Sequence, residues 1–349
     1  MKQTYFLGIL LLIVLSSCKK SSNSAVGSGR VIVVNEGGFN HADADISIYD
    51  PNSKTVSNNI FSQVNGSPPG DVAQSVYLIG DTAFIVMNNS AKIVVADAGH
   101  NFKYMYTINI PGSSPRFFQP VGGSKAYVTE LYNNTIWVID YRAGTVLRSI
   151  PVDGKTEQMV TWGGKVYVEE ATKPYLGSGA VPPVAHAILT VDPLTDQVTH
   201  ALPLPVDPAS MVLVQDNLYV LSARQDSPAV SASLYKIALS SSSIAGHADF
   251  SLTRNPTLLR YSTLSNQILF SDSGGIYIMH PTDALPTSPW IVSNNWNVYG
   301  LNADPTNGDI YISDAVDYQQ ASKVMRYSIS GSSLDHFSAG IITNGFVFR

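Results

Sequence analysis

Beyond residue 30 the chain alternates short apolar runs with polar turns, and one figure recurs. "AYVTELYNNTIWVID", residues 126–140, is a β-branched and aromatic run, a polar loop, and a second such run that ends on an acid. Its counterparts, in chain order, are "VIVVNEGGFNHADADISIYD", "AFIVMNNSAKIVVAD", "VYVEEATKPYLGSGAVPPVAHAILTVD", "LYVLSARQDSPAVSASLYKIAL", "ILFSDSGGIYIMHP" and "IYISDAVDYQQASKVMRYSI". With Val33, Phe84, Tyr127, Tyr167, Tyr219, Leu269 and Tyr311 as equivalent positions, the steps are 51, 43, 40, 52, 50 and 42 residues. A period of about 40–50 residues with room for four short strands per unit is the signature of a propeller blade.

The other strands of a unit are legible too. After "IWVID" the turn "YRAG" leads to "TVLRSIPV", an outermost strand, and "MVTW" followed by "GGK" supplies the next innermost strand and a tight turn. No helical periodicity of length interrupts the pattern beyond the first residues, and Gly and Pro punctuate it throughout. The expected fold class is all-β, a seven-bladed β-propeller over residues 30–349. The first unit begins at its second strand, "VIVVN", whereas the chain finishes on "AGIITNGFVFR", an apolar segment with no unit of its own. This tail is expected to form the innermost strand of the first blade. The ring then closes, open sheet edges disappear, and stability depends on the last few residues.

Composition adds a location. Lys2 precedes an apolar run, Phe6–Leu15, too short for a stable bilayer span; residues 1–17 read as a secretory leader. The leader stops at "LSSC", which resembles the bacterial lipobox, with Cys18, the only cysteine, as the lipidated residue. One cysteine excludes an intrachain disulfide and a Cys-based zinc site. "KKSSNSAVGSG" is polar and Gly/Ser-rich, so residues 18–29 read as a lipidated cysteine and a flexible tether. Lys19, where some sorting signals carry Asp, favours the outer membrane. No acidic cluster follows it, so the cell surface and the periplasmic face both stay open. A net charge of −5 leaves no electrostatic footprint for nucleic acid, and membrane contact is expected through the lipid alone.

"AYVTELYNNTIWVID" resembles the YVTN repeat of seven-bladed, surface-layer-type propellers, a likeness that covers nearly the whole chain after the tether. A tighter likeness is confined to residues 31–97. There "VVNEGGFN", "ISIYDPNSKTVSNNIF", "NGSPPGDVAQSV" and "AFIVMNNSAKIVVAD" resemble the start of a family of Bacteroidota surface lipoproteins. That family includes the cobalamin-capturing propellers that cap TonB-dependent transporters. The resemblance implies a corrinoid ligand and a TonB-dependent outer-membrane transporter as partner.

Propellers bind on the face that carries the loops between second and third strands and the connections into the innermost strands. On that face "NEGGFNHADAD" offers Asn35, Glu36 and Phe39, and "NGSPPGDVAQS" presents Asp71 and Gln74 at the channel mouth. "SPRF" contributes Arg116 and Phe117, the quoted repeat Glu130 and Tyr132, and "NNWNVYG" Trp296. The longest loop, residues 169–186, holds Tyr175 between Gly and Pro residues and is long enough to fold over the mouth as a lid or partner contact. Arg224 and Tyr318 occupy comparable loops. Rim aromatics supply area at little entropic cost to a large flat ligand. Trp137, inside a strand, reads as blade packing.

Catalytic and metal signals are weak. The seven histidines include no H-x-x-x-H or H-x-H pair and, His41 and His186 apart, read as strand-end or turn residues. No G-x-S-x-G elbow is present. "DPNSKT" and "DPTNGD" read as turn chemistry rather than calcium loops. Glu36, Glu130, Glu157, Glu169 and Asp314 are expected to converge on the channel, as any ring of like blades would bring its carboxylates together. The expectation is a non-enzymatic ligand binder without cofactor or metal. Two other classes stay open: a protein- or glycan-binding envelope scaffold without small-molecule cargo, and a propeller lactonase or lyase.

Overall fold

The computed structural model describes Met1 and residues 29–174, 184–293 and 295–349. Cys18, the rest of the leader, most of the tether and Tyr175 lie outside the described residues. Seven four-stranded antiparallel sheets form a closed seven-bladed propeller. The innermost strands are Ala73–Ile79, Pro115–Gly122, Lys155–Trp162, Pro208–Val214, Thr257–Ser262, Val298–Ala303 and Thr343–Phe348. Numbering the blades by their second strands, Thr343–Phe348 belongs to blade 1, where it pairs with Val31–Asn35. The tail closes the ring as expected.

The apolar runs of the sequence explain the packing. A second strand such as "VIVV" is buried on both faces because each blade is sandwiched between two others. Ile32 and Val34 pack with Ala83, Ile85 and Met87 of blade 2, while Val31 and Val33 pack with Tyr311 and Val324 of blade 7. The same period-two division continues round the ring, giving seven hydrophobic clusters among the described residues. Trp137 is indeed packing: it lies against the blade 2/3 cluster.

Antiparallel pairing puts the loops between second and third strands on one face, together with each connection into a new innermost strand. This is the loop face. The chain enters and leaves the propeller on the opposite face, where the Gly29 N–H donates to the Arg349 carbonyl at 2.6 Å. The Arg349 guanidinium fixes the corner to blade 2 through the Ala98 carbonyl, 3.1 Å, and the Asp81 carboxylate, 2.5 Å.

Three local features differ from the sequence reading. A short helix, Ile60–Asn65, sits in the connection from blade 1 to blade 2. Six residues are too few to show a period, and the helix is held by the Asp45 carboxylate, which accepts from the Phe61 and Ser62 N–H groups. The blade 5 loop contains a small ribbon, Gln225–Asp226 against Ala229–Val230. His200, His247 and His336 lie within outermost strands rather than at their ends, on exposed positions where polar residues need no partner. The two Asp-Pro segments are turns: Asp50 accepts from the Asn52 N–H, and Asp304 from the Thr306 N–H.

Candidate functional site

The recurring acid of the repeat belongs mainly to the scaffold. Three positions beyond the equivalent apolar residues stand Glu130, Glu170, Asp272 and Asp314 in blades 3, 4, 6 and 7. Each carboxylate accepts N–H groups from the connection into its own innermost strand: Ser114 at 2.9 Å, Asp153 at 2.7 Å, Asn255 at 3.0 Å and Asn297 at 2.9 Å. Glu130 also receives the Tyr132 N–H at 3.1 Å and the Trp137 indole N–H at 3.0 Å, and is fully buried. Glu130 and Asp314 thus stay in the blade framework.

Blade 1 departs from this rule. All seven blades have a register shift at the start of the innermost strand. Where Pro115 and Val298 lie opposite Glu130 and Asp314, however, Thr343 lies opposite Asn35, and Asn35 takes over the clamp. Its side-chain oxygen accepts from the Gly340 N–H, 3.0 Å, and the Thr343 hydroxyl, 2.8 Å, while its amide donates to Ser47 at 2.8 Å. Glu36, at the position blades 3, 4, 6 and 7 give to the clamp, is released toward the channel. Its N–H donates to the Ile342 carbonyl at 2.9 Å, and its own carbonyl accepts the Ala73 N–H at 3.1 Å. Ile342 and Val72, the residues just before the innermost strands on either side, have φ of 51° and 62°. β-branched residues rarely adopt that region, and such strain collects at functional sites.

Around Glu36 the loop-face mouth of the channel takes shape. The Tyr299 hydroxyl of blade 7 faces its carboxylate and favours the charged form. Burial pushes Glu36 above the usual carboxylate range, against the opposing pull of Tyr299 and of the Arg116 charge. Arg116, on blade 3, donates through Nε to Glu157 of blade 4 at 2.9 Å, and through Nη1 to the Gln74 side-chain oxygen of blade 2. Lys155 meets the other Glu157 oxygen at 3.4 Å. Glu36, Gln74 and Arg116, three residues singled out from separate stretches of sequence, therefore share one mouth. Among the described residues no partner reaches Glu36 Oε2 or Asn344 Oδ1, both buried, and Asn344 itself donates to the Ala73 and Gln74 carbonyls.

Glu169 belongs with this group, one residue before its blade's clamp Glu170. One oxygen accepts the Gln158 N–H at 3.1 Å, and no described residue meets the other. Burial, reinforced by the Glu157 charge, pushes Glu169 up to about 8. Arg260, half-buried on blade 6, is pushed down to about 10 by desolvation, which Glu169 partly offsets.

The remaining expected residues are spread over the loop face. Asp71 is tucked beneath the first loop, where one oxygen accepts the Asn40 N–H at 2.9 Å and the Asn89 amide at 2.6 Å. It pins the loop that carries Phe39, which is 65% exposed. Phe117 is half-buried beside Arg116, and its N–H donates to the Thr129 hydroxyl. Tyr132 is exposed on blade 3. Arg224 is held by Asp226 at 2.9 Å and by the Leu252 carbonyl at 3.1 Å. Trp296 and Tyr318 line a cleft between blades 6 and 7, and Tyr318 meets Tyr299 edge-on at 5.7 Å. The two described ends of the long blade 4 loop converge on Asp207, through Thr172 at 2.9 Å and His186 at 3.6 Å. Tyr299, Lys155 and Asn344 were missed: a tyrosine, lysine or asparagine at the start of an innermost strand carries no signal until the blades are in register.

Fold and site together define a seven-bladed β-propeller whose loop face holds an ion-paired, partly unsatisfied polar mouth. The chain belongs to the DUF5074 family, a domain of unknown function, whose model matches residues 29–334. No match is found among curated protein sequences. Among solved structures, a quinonprotein alcohol dehydrogenase-like protein from Bacteroides thetaiotaomicron VPI-5482 superposes with a TM-score of 0.66 at 16% identity, covering 93% of this chain and 78% of that one. Hydrazine synthase from Kuenenia stuttgartiensis gives 0.59 at 14% identity, with 76% and 86% covered. BamB from Moraxella catarrhalis gives 0.54 at 14% identity, with 93% and 87% covered. At these identities the likeness carries the fold alone.

Proposed function

We propose that this propeller is a non-enzymatic ligand binder, attached to the outer membrane by a lipid on Cys18, that seats its ligand over the loop-face mouth. The observation that carries the reading is the convergence of Glu36, Gln74 and Arg116 with Tyr299 and Glu157, from five blades, on one opening. The buried acceptors Glu36 Oε2 and Asn344 Oδ1 call for N–H donors, and Arg116 and Lys155 supply donors of their own. A ligand fringed with amides matches both. The resemblance of residues 31–97 to the cobalamin-capturing lipoproteins names a corrinoid as that cargo and a TonB-dependent transporter as its recipient.

The test uses the protein without residues 1–17, mixed with cyanocobalamin at micromolar concentration and passed through a gel-filtration column. The red colour is expected to travel with the protein, and to shift to the small-molecule fraction in Arg116→Met and Glu36→Gln. Colour confined to the small-molecule fraction with the unsubstituted protein ends the corrinoid reading.

A further inference from the structure

Between blades 6 and 7, on the loop face, the structure holds a cleft of about 440 Å³. That lies within the ~300–1,000 Å³ range of small-molecule sites. Its walls are the turn after the second strand of blade 6, the connection through Ser293 and Trp296, and Tyr318 from the blade 7 loop.

The lining chemistry is narrow. Asn255, Asn295, Ser273 and Ser293 offer amides and hydroxyls, each able to donate and to accept. Trp296 and Tyr318 offer ring surface. Among the described lining residues there is no lysine, arginine or histidine. The single carboxylate, Asp272, is committed internally: one oxygen accepts the Asn255 and Ser273 N–H groups at 3.0 and 2.7 Å, and the other takes the Arg254 guanidinium. The cleft thus presents polar groups without charge. An anion finds no cation there, a cation finds no free carboxylate, and a wholly apolar ligand strands the amides.

The cleft is also held in shape before any ligand arrives. Gly275 has φ of 150°, and a Cβ there would stand 1.9 Å from the Ile291 carbonyl oxygen, so only glycine permits the turn. The Ser293 N–H donates to the Gly274 carbonyl and the Trp296 N–H to the Ser293 carbonyl, both at 2.9 Å. Tyr318 adopts φ of 63° and remains 46% exposed. A bulky residue in that conformation costs folding energy, and Tyr318, so exposed, recovers little of it by burial in the core.

We propose that the blade 6/7 cleft is a saccharide subsite that takes one ring of a neutral glycan. The hydroxyls of the sugar would pair with the asparagine and serine groups, and its C–H face would lie against the Trp296 and Tyr318 side. Sugar hydroxyls match these groups because they too both donate and accept, and an aromatic ring with a polar rim suits a surface that is half apolar. The assignment does not depend on the ligand of the channel mouth.

Saturation-transfer NMR on the protein without residues 1–17 tests it, with the methyl glycosides of glucose, galactose, mannose and N-acetylglucosamine, and methyl glucuronide as the charged comparison. At least one neutral glycoside is expected to show transfer to its ring protons, with the glucuronide much weaker. Trp296→Ala is expected to weaken binding roughly fivefold or more. Because Trp296 also packs between blades, Ser273→Trp, on an exposed turn, is the second variant and is expected to plug the cleft and abolish transfer. Arg116→Met, at the mouth, is expected to leave it intact. Silence from all four neutral glycosides overturns the subsite. So does equal transfer to the glucuronide, transfer that survives Ser273→Trp, or transfer lost in Arg116→Met. None of these results depends on whether cyanocobalamin binds.

Discussion

Val33 lies directly opposite Phe346 in the ladder that joins the first propeller strand to the last. Both are buried, in a cluster shared with Tyr49 and Tyr311. Phe346→Ala is therefore expected to cost about 3–5 kcal/mol, read from urea denaturation. Removing residues 343–349 should replace the single cooperative transition by a broad one. A truncated chain that melts like the full one contradicts ring closure as the source of cooperativity.

Glu130 separates scaffold from site. Glu130→Ala strands the Ser114, Tyr132 and Trp137 donors, at a cost on the order of 3 kcal/mol. The folded fraction should bind any mouth ligand as before. Paired denaturation and binding measurements check this, and a loss of affinity without a loss of stability would return Glu130 to the binding surface.

Glu169 predicts a pH dependence. Its ordinary value is 4.5 and burial lifts it to about 8, so the folded protein keeps a proton that the unfolded chain releases between those limits. Its contribution to stability is full below pH 4.5 and is lost as pH rises toward about 8. The steepest decline is roughly 1 kcal/mol per pH unit. Glu169→Gln should flatten the profile in that window; thermal melts from acid to mildly alkaline buffer decide it, and parallel curves refute it.

Gly275→Ala drives a methyl group into the Ile291 carbonyl and forces φ of 150° on a residue that rarely takes it. A loss of several kcal/mol is expected, with the blade 6 turn displaced. An alanine variant as stable as the parent, measured by calorimetry, would show that the turn relaxes freely.

The ring was legible because each unit repeats the same alternation, and a strand buried on both faces shows as an unbroken apolar run such as "VIVV" or "AFIV". The mouth was only partly legible. Glu36 and Glu130 occupy equivalent places in the repeat, yet one faces the channel and the other clamps a connection. Every blade has a register shift between its innermost and second strands. In blade 1 the shift leaves Asn35 opposite Thr343, where blade 3 has Glu130 opposite Pro115, and such an offset carries no signature in one sequence. Glu169 had a faint mark: the doubled acid of "VEEA" stands where blades 3 and 7 have Thr129 and Ser313. Tyr299 had none, since its role depends on a partner more than 250 residues away.

The chain enters and leaves the disc at its back, where Gly29 meets Arg349. If Cys18 carries the anchor, the propeller stands with its rear toward the lipid and both openings turned outward. Under the proposed function, handing a ligand to a neighbour in the same membrane then requires the disc to tip over, or the neighbour to arch across its edge. Twelve residues, 18–29, span at most about 40 Å, so under that proposal the length of this stretch, more than any blade, sets how far the mouth can lean.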